Sequence, residues 1–157
     1  MTKIESDTLL GGRTMKLNDM KEDENVLVIG CGRLGSSIAN IISNRNKSVS
    51  IIDISKDSFR KLSPSFGGLV LEGDATDLEV LKEAQMQKPN VVVVATNNDN
   101  INIMVAQMVK KIFDVNKVII RLYDPERECI FKGMGIHSIF PVQLSANEVD
   151  KILEEED

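Results

Sequence analysis

The residues with the clearest chemical potential are a glycine-rich turn and an acidic residue that follows it. The turn Gly30-Cys31-Gly32-Arg33-Leu34-Gly35 has the pattern Gly-x-Gly-x-x-Gly, and Asp53 follows at close to the spacing, roughly 20 residues, typical of a ribose-binding acid. Gly30 permits a tight turn, Gly32 lets the backbone approach a pyrophosphate, and Gly35 lets a helix pack closely. The Asp53 carboxylate can accept hydrogen bonds from both ribose hydroxyls. These residues predict a site for the phosphates and ribose of an adenine nucleotide.

Two strands and a helix must position these residues. Val26-Leu27-Val28-Ile29 is typical of a buried strand, and Val49-Ser50-Ile51-Ile52 of a second strand that ends at Asp53. Between them, apolar residues recur at helical spacing: Leu34, Ile38, Ile41 and Ile42. The N-terminus of this helix would direct free N–H groups and a partial positive charge at the phosphates. A glycine motif alone would fit a simple turn, but its order within strand, helix, strand and acid favours nucleotide binding.

The rest of the chain alternates between predicted strands and helices. We expect further strands at residues 68–72, 91–95, 117–122 and 138–140, and helices at residues 56–62, 77–84, 98–113 and after Pro125. Capping boxes at Thr76–Glu79 and Ser145–Glu148 predict the starts of two helices, the second of which ends the chain. Apolar strands separated by helices imply an α/β, Rossmann-type doubly wound parallel sheet of six strands in the order 3-2-1-4-5-6. We expect a flexible tail at residues 1–24, the Rossmann domain at 25–141 and a C-terminal helix at 142–157.

In such a sheet, ligands bind outside the carboxyl ends of the strands, near the reversal of strand order. The predicted binding residues beyond the glycine turn all follow strand ends: Asp53, Ile54, Asp74, Ala75, Thr96, Asn97, Asn98 and Arg121. Four residues have equally ordinary alternatives. Asp74 could be a turn residue and Asn98 a helix cap, while Arg33 could be solvated and Arg121 could pair with Asp124 or Glu126. No catalytic or metal-ligating set is evident.

Composition excludes several classes of function. The net charge of −5 and the absence of a dense basic run argue against a nucleic-acid partner. The longest apolar run is residues 91–95, far short of the roughly 20 residues of a membrane helix, so we expect no direct membrane insertion. The N-terminus lacks a signal peptide, and the two cysteines have no metal or redox spacing. These features predict a cytoplasmic protein with reduced thiols.

The order of these motifs resembles the nucleotide-binding lobe of the RCK family, also called KTN or TrkA-N domains. The resemblance extends over residues 25–141 and includes the glycine turn and Asp53. Its most specific parts are Gly73-Asp74-Ala75-Thr76, Ala95-Thr96-Asn97-Asn98-Asp99-Asn100 and Arg121-Leu122-Tyr123-Asp124-Pro125-Glu126. The resemblance implies a cytoplasmic regulator that binds NAD(H), ATP, ADP or AMP. It also implies a membrane potassium-transport subunit of the Trk or Ktr type as partner, and assembly as a homodimer or a larger ring. Many members carry a second, C-terminal lobe, whereas this sequence ends at Asp157, so we expect a stand-alone lobe.

Two other classes of function compete with a regulatory module. An NAD-dependent oxidoreductase, or its cofactor-binding subunit, needs a substrate pocket and a proton-transfer group, and neither is evident. A nucleotide-sensing transcription factor needs a basic recognition helix, which is also not evident. For self-association we expect apolar contact surfaces at Ile103, at Ile130, Phe131 and Met134, and on the final helix through Val149, Ile152 and Leu153.

Overall fold

Six parallel strands form the centre of the computed structural model, which describes residues 8–10, 13–15 and 24–155. The strands are β3 (Asn25–Ile29), β4 (Ser48–Asp53), β5 (Leu69–Glu72), β6 (Val91–Val94), β7 (Lys117–Arg121) and β8 (Ile136–Ile139), after a short pair, β1 (Thr8–Leu10) and β2 (Arg13–Met15). The helices are α1 (Arg33–Asn44), α2 (Leu78–Gln85), α3 (Asp99–Ile112) and α4 (Pro141–Glu154), with 3-10 segments at Lys56–Lys61 and Pro125–Phe131. The sheet order is β5-β4-β3-β6-β7-β8. The predicted doubly wound order is therefore confirmed.

Apolar clusters cover both faces of the sheet. The larger cluster joins β3, β6 and β7 to α2 and α3, and the other joins β3, β4 and β6 to α1 and the first 3-10 segment. All four valines of β6 are buried, because a central parallel strand is covered on both faces. This arrangement fixes the carboxyl ends of β3, β4, β6 and β7 next to one another.

The N-terminal segment contains secondary structure that the sequence did not predict. β1 and β2 pair antiparallel, with Thr8 opposite Met15 and Leu10 opposite Arg13. The flexibility expected for residues 1–24 stays a prediction. The remainder of that segment, residues 1–7, 11–12 and 16–23, lies outside the described residues.

Both predicted capping boxes are wrong in detail. Helix α2 begins one residue later than expected, and Asp77 rather than Thr76 caps it by accepting a hydrogen bond from the backbone N–H of Glu79. Helix α4 begins at Pro141, where the fixed φ of proline suits the first helical position. Ser145 therefore lies one turn inside the helix, and its hydroxyl donates to the carbonyl of Pro141 at 2.9 Å.

Two residues of the predicted contact surfaces belong to the core instead. Ile103 is 4% exposed and Phe131 is 2% exposed, whereas Ile130 is exposed. On α3 the buried residues are Asn102, Ile103, Val105, Ala106 and Val109, while Met104 and Ile112 are exposed. The apolar spacing of the sequence predicts a different buried stripe, made of Ile101, Met104, Val105, Met108 and Ile112. The buried face is rotated from that stripe, and it includes the side chain of Asn102.

Candidate functional site

A cavity of about 1080 Å³ opens at the carboxyl ends of the central strands. Its lining brings together eleven of the residues predicted from the sequence: Gly30, Gly32, Arg33, Leu34, Asp53, Ile54, Asp74, Ala75, Thr96, Asn97 and Arg121. The other three, Cys31, Gly35 and Asn98, lie next to the cavity lining in the chain but do not belong to it. The topology therefore gathers loops from five strands around one space.

The three glycines of the turn have different physical roles. Gly30 has a φ of +99°, and a Cβ there would lie 2.8 Å from the backbone nitrogen of Thr96. A Cβ at Gly35 would lie 1.8 Å from the carbonyl oxygen of Gly30, so only glycine lets α1 pack this close. A Cβ at Gly32 would meet nothing within 4 Å, because this residue faces the open cavity. Gly32 is thus the position at which a ligand can approach the backbone.

The Asp53 carboxylate is held in place by two backbone groups. The N–H of Cys31 donates to Oδ2 at 2.7 Å, and the N–H of Ser55 donates to Oδ1 at 2.8 Å. Each carboxylate oxygen can accept more than one hydrogen bond, so both remain able to bind a hydroxyl group in the cavity. The contact with Cys31 also fixes the glycine turn to the end of β4.

The side chain of Cys31 does not belong to the cavity lining. The residue is fully buried, and its thiol donates to the carbonyl of Ser58 at 3.4 Å. Burial raises the pKa of the Cys31 thiol, the nearby Asp53 carboxylate raises it further, and Lys61 offsets part of this increase. Cys31 therefore contributes a backbone N–H to the site and keeps an inert, protonated thiol.

Asp74 stabilises a turn and also lies at the cavity. Its Oδ1 accepts hydrogen bonds from the hydroxyl of Thr76 at 2.7 Å and from the Thr76 N–H at 2.9 Å, which stabilises the turn. These bonds, the hydroxyl first, lower the pKa of the Asp74 carboxyl and keep it ionised. The residue also lines the cavity, as does Ala75 beside it.

The first turn of α3 connects the ends of β6 and β7. Asn98 caps the helix by accepting a hydrogen bond from the N–H of Ile101 at 3.1 Å, which is its structural alternative. Asp99 accepts bonds from the N–H groups of Tyr123 and Asp124 at 2.8 and 3.0 Å. These contacts join the polar motif after β6 to the polar motif after β7.

Asn102 is a structural residue of the site that the sequence analysis missed. Its side chain is 0% exposed, and its Oδ1 accepts hydrogen bonds from the N–H of Thr96 at 3.1 Å and from the Thr96 hydroxyl. Its Nδ2 donates to the carbonyls of Thr96 at 3.0 Å and Arg121 at 2.9 Å. Asn102 lies outside the stripe that the apolar spacing predicts for this helix, so that spacing gives no signal of its role.

Three cationic side chains line the cavity together with the two carboxylates: Arg33, Lys61 and Arg121. Lys61 was not predicted, because it belongs to a 3-10 segment that packs beside α1 and is remote from the glycine motif in sequence. Asp124, one of the two alternative partners of Arg121, instead pairs with Arg127 at 3.5 Å. Within the described part of the chain, Arg121 forms no ion pair, and its Nη1 donates to the carbonyl of Thr96 at 3.3 Å.

Helix α4 starts at the rim of the cavity, where Pro141 and Ser145 contribute to the lining. Among its described residues none is buried, and large apolar side chains are exposed along it: Val142, Leu144, Val149, Ile152 and Leu153. This helix therefore does not contribute to the core. In the described residues, no helix is both long enough and apolar enough to span a membrane.

Comparison with known proteins agrees with this architecture. The sequence model of the TrkA-N domain matches residues 26–141. The Trk system potassium uptake protein TrkA of Streptomyces coelicolor is 32% identical over 125 residues, which cover 80% of this chain and 56% of that protein. The chain thus spans about half the length of the curated relatives of this kind that it matches.

Solved structures resemble the fold closely. The GsuK channel bound to NAD has a TM-score of 0.72 and 24% identity, over 87% of this chain and 24% of that one. The Kef C-terminal domain of Shewanella denitrificans in its AMP-bound form has a TM-score of 0.64 and 19% identity, over 83% of this chain and 82% of that one. At these identities the likeness shows the fold alone, and it is the match over residues 26–141 that places the chain in a family: it belongs to the TrkA-N domain family.

Proposed function

We propose that this protein binds an adenine nucleotide, NAD(H), ATP, ADP or AMP, in the cavity and thereby regulates potassium transport by a membrane partner. One observation carries the proposal: the open backbone at Gly32 and the doubly anchored Asp53 carboxylate line the same cavity. The first provides room for phosphates at a helix N-terminus, and the second provides acceptors for ribose hydroxyls. The residues present therefore fit the ligand class.

The cavity offers a separate surface for each part of an adenine nucleotide. In this proposal the phosphates lie over Gly32 and the start of α1, with Arg33 beside them. The ribose lies on Asp53. The adenine ring lies between Ile54, whose side chain is 68% exposed, and the turn at Asp74 and Ala75. Contact with the adenine ring would remove the apolar surface of this side chain from water, which is favourable.

The regulatory role rests on the relatives and on α4. The curated relatives are named as potassium uptake proteins, and two structural neighbours are described with NAD and AMP bound. We propose a cytoplasmic protein whose partner is a membrane potassium-transport subunit. The exposed apolar side chains of α4 provide a surface through which the protein would form a homodimer or a larger ring.

An oxidoreductase is the competing function, and the composition of the cavity argues against it. A dehydrogenase needs a group that exchanges a proton beside the nicotinamide. The described residues that line the cavity include no histidine, cysteine or tyrosine, and His137 lies exposed on β8. Thr96, Asn97 and Ile101 also line the cavity, and their side chains do not titrate near neutral pH. We therefore propose binding without turnover.

Isothermal titration of ADP, ATP, AMP and NAD into wild type and Asp53→Ala tests the proposal. Loss of a carboxylate that accepts from two ribose hydroxyls should weaken each ligand by about 1.5–3 kcal/mol. Asp57→Ala is the matched control, since it removes the same charge from an exposed side chain that pairs with Arg60. Circular dichroism checks that both variants fold. Equal affinities of wild type and Asp53→Ala would refute the assignment of the ribose to Asp53.

A further inference from the structure

The 3-10 segment Lys56–Lys61 contributes two polar side chains to the cavity that the proposed nucleotide contacts do not use. Ser58 and Lys61 both belong to the cavity lining, together with Asp53 and Ile54. In a 3-10 helix, side chains three residues apart lie one above the other, so Ser58 and Lys61 share one face. A hydroxyl group and an ammonium group on one face are donors suited to an anion.

This face lies beside the carboxylate proposed to hold the ribose. The carbonyl of Ser58 accepts a hydrogen bond from the Cys31 thiol at 3.4 Å, and the N–H of Cys31 donates to Oδ2 of Asp53 at 2.7 Å. One residue therefore separates Ser58 from the Asp53 carboxylate. Burial and the Asp53 carboxylate raise the pKa of the Cys31 thiol and Lys61 lowers it, so the charges of Asp53 and Lys61 both act at this residue.

The backbone of Lys61 is remote from the place proposed for the 5′-phosphates. Those phosphates lie over Gly32 and the start of α1, whereas the carbonyl of Lys61 accepts a hydrogen bond from Asn40 at 3.4 Å. Asn40 also accepts a hydrogen bond from the N–H of Ser63 at 2.9 Å, which fixes the end of the 3-10 segment to α1. Asn40 lies roughly 10 Å along the helix axis from Arg33, the first residue of α1. The lysine side chain therefore approaches the cavity from the ribose end rather than the phosphate end.

The ammonium group of Lys61 has no counter-ion within the described part of the chain. The acid of its own segment, Asp57, pairs with Arg60 at 3.1 Å, and no described carboxylate lies within ion-pair distance of Lys61. A free cation beside a carboxylate reduces the repulsion that the carboxylate exerts on an incoming anion. A phosphate on the 2′-hydroxyl of the ribose would thus meet an opposing charge at Asp53 and an attracting charge at Lys61.

We infer that Lys61, together with the Ser58 hydroxyl, binds a 2′-phosphate on the nucleotide ribose, and that the charge of Asp53 is the barrier that keeps such ligands weak. This inference rests on the proposed adenine-nucleotide site and extends its ligand class to 2′-phosphorylated nucleotides such as NADP(H). The preference for NAD over NADP then depends on two opposed charges on one side of the cavity. Removal of either charge should change that preference in the opposite direction to removal of the other.

Affinities for NAD and NADP, which differ only in the 2′-phosphate, test the inference in titration calorimetry, with ADP as the reference ligand. Wild type should bind NAD more tightly than NADP. Lys61→Gln should raise this preference about fivefold, as expected for loss of a charge-assisted contact at an exposed side chain. Lys56→Gln is the matched control, because it removes the same charge from the start of the same segment, outside the cavity lining. It should change the preference by less than about twofold.

Asp53→Asn supplies a second readout, because it removes the negative charge and keeps the shape of the side chain. NADP should then bind at least about threefold more tightly than NAD, and adding Lys61→Gln should abolish this difference. Circular dichroism checks that each variant folds.

Three results would overturn the inference and leave the nucleotide site intact. The first is an unchanged preference in Lys61→Gln, including an equal loss of both affinities, which would indicate a contact with the 5′-phosphates instead. The second is an equal effect of Lys56→Gln, which would indicate a general effect of charge. The third is Asp53→Asn protein that still prefers NAD, shows no NADP binding at millimolar concentration, or keeps its NADP preference when Lys61 is also replaced. Wild type that binds none of NAD, NADP and ADP would overturn the proposed function as well.

Discussion

Alanine substitutions at Gly32 and Gly35 should separate ligand binding from folding within a single turn. At Gly35 the added Cβ would lie 1.8 Å from the carbonyl oxygen of Gly30, whereas carbon and oxygen normally approach to about 3.3 Å. Helix α1 must therefore move away from β3 by roughly 1 Å or more, and this movement disturbs a close-packed interface. Overpacking lowers the free energy of unfolding by about 1–3 kcal/mol. Because the added Cβ would meet a backbone oxygen rather than a flexible side chain, the loss should be at least about 3 kcal/mol. The midpoint of thermal unfolding should fall by about 6–12 °C.

At Gly32 the same methyl group should leave the fold intact. The backbone there has a φ of −81°, which alanine adopts freely, and the Cβ would meet nothing within 4 Å. Replacing glycine by alanine at a helix N-cap is slightly unfavourable, but it also reduces the entropy of the unfolded chain by about 0.4–1 kcal/mol. The net change in the free energy of unfolding should stay within about 0.5 kcal/mol. The methyl group would occupy the space through which phosphates approach the backbone, so ADP affinity should fall at least about tenfold.

Thermal melts followed by circular dichroism and titration calorimetry with ADP measure both effects. Gly32→Ala should fold like wild type and bind poorly, while Gly35→Ala should be strongly destabilised. Unchanged ADP affinity in Gly32→Ala would show that phosphates do not lie over this turn. A wild-type melting temperature for Gly35→Ala would contradict the close packing of α1 on β3.

Four further predictions use other parts of the molecule. The free energy of unfolding should fall as the pH rises above about 9.0, the ordinary pKa of a thiol, because Cys31 ionises in the unfolded state but stays protonated in the folded state. Urea titrations at several pH values measure this dependence, and Cys31→Ala should reduce it. Native protein should expose one fast-reacting thiol, Cys129, to Ellman's reagent. NAD should bind at least about tenfold more tightly than NADP, because a 2′-phosphate would meet the Asp53 carboxylate, although Lys61 beside it reduces the repulsion; equal affinities in calorimetry would contradict this. Sedimentation at micromolar concentration should show a dimer or larger species that Ile152→Glu weakens, and an unshifted distribution would exclude α4 from the interface.

The sheet order and most of the cavity were predictable because they follow from local patterns combined with topology rules. Apolar runs identified the strands, and right-handed crossovers then determined which strand ends meet. Asp53, Asp74, Thr96 and Arg121 could be assigned to one place although they are far apart in sequence. Their positions required no knowledge of side-chain packing, only of which end of each strand they follow.

The residues that were missed or misplaced depend on tertiary contacts. The rotation of α3 follows from the hydrogen bonds of Asn102 to two strand ends, and an apolar periodicity cannot contain that information. Lys61 reaches the cavity because its 3-10 segment packs against α1, where its carbonyl accepts a hydrogen bond from Asn40 at 3.4 Å. Phe131 was expected at a surface and is buried instead, because the segment after Pro125 folds back onto α3.

The position of α4 would connect the cavity to the proposed binding partner. Its first turn lies at the rim through Pro141 and Ser145, and the same rigid helix then presents apolar side chains that the described fold leaves exposed. If this helix has two orientations, a ligand can change the equilibrium between them only by the difference between its binding free energies for the two. Ligands that fill the cavity differently, such as AMP and ATP, would therefore bias α4 to different degrees. If α4 contributes to self-association, nucleotide binding and dimerisation must be thermodynamically linked. The factor by which a nucleotide changes the affinity between two subunits should then equal the factor by which dimerisation changes the affinity for that nucleotide.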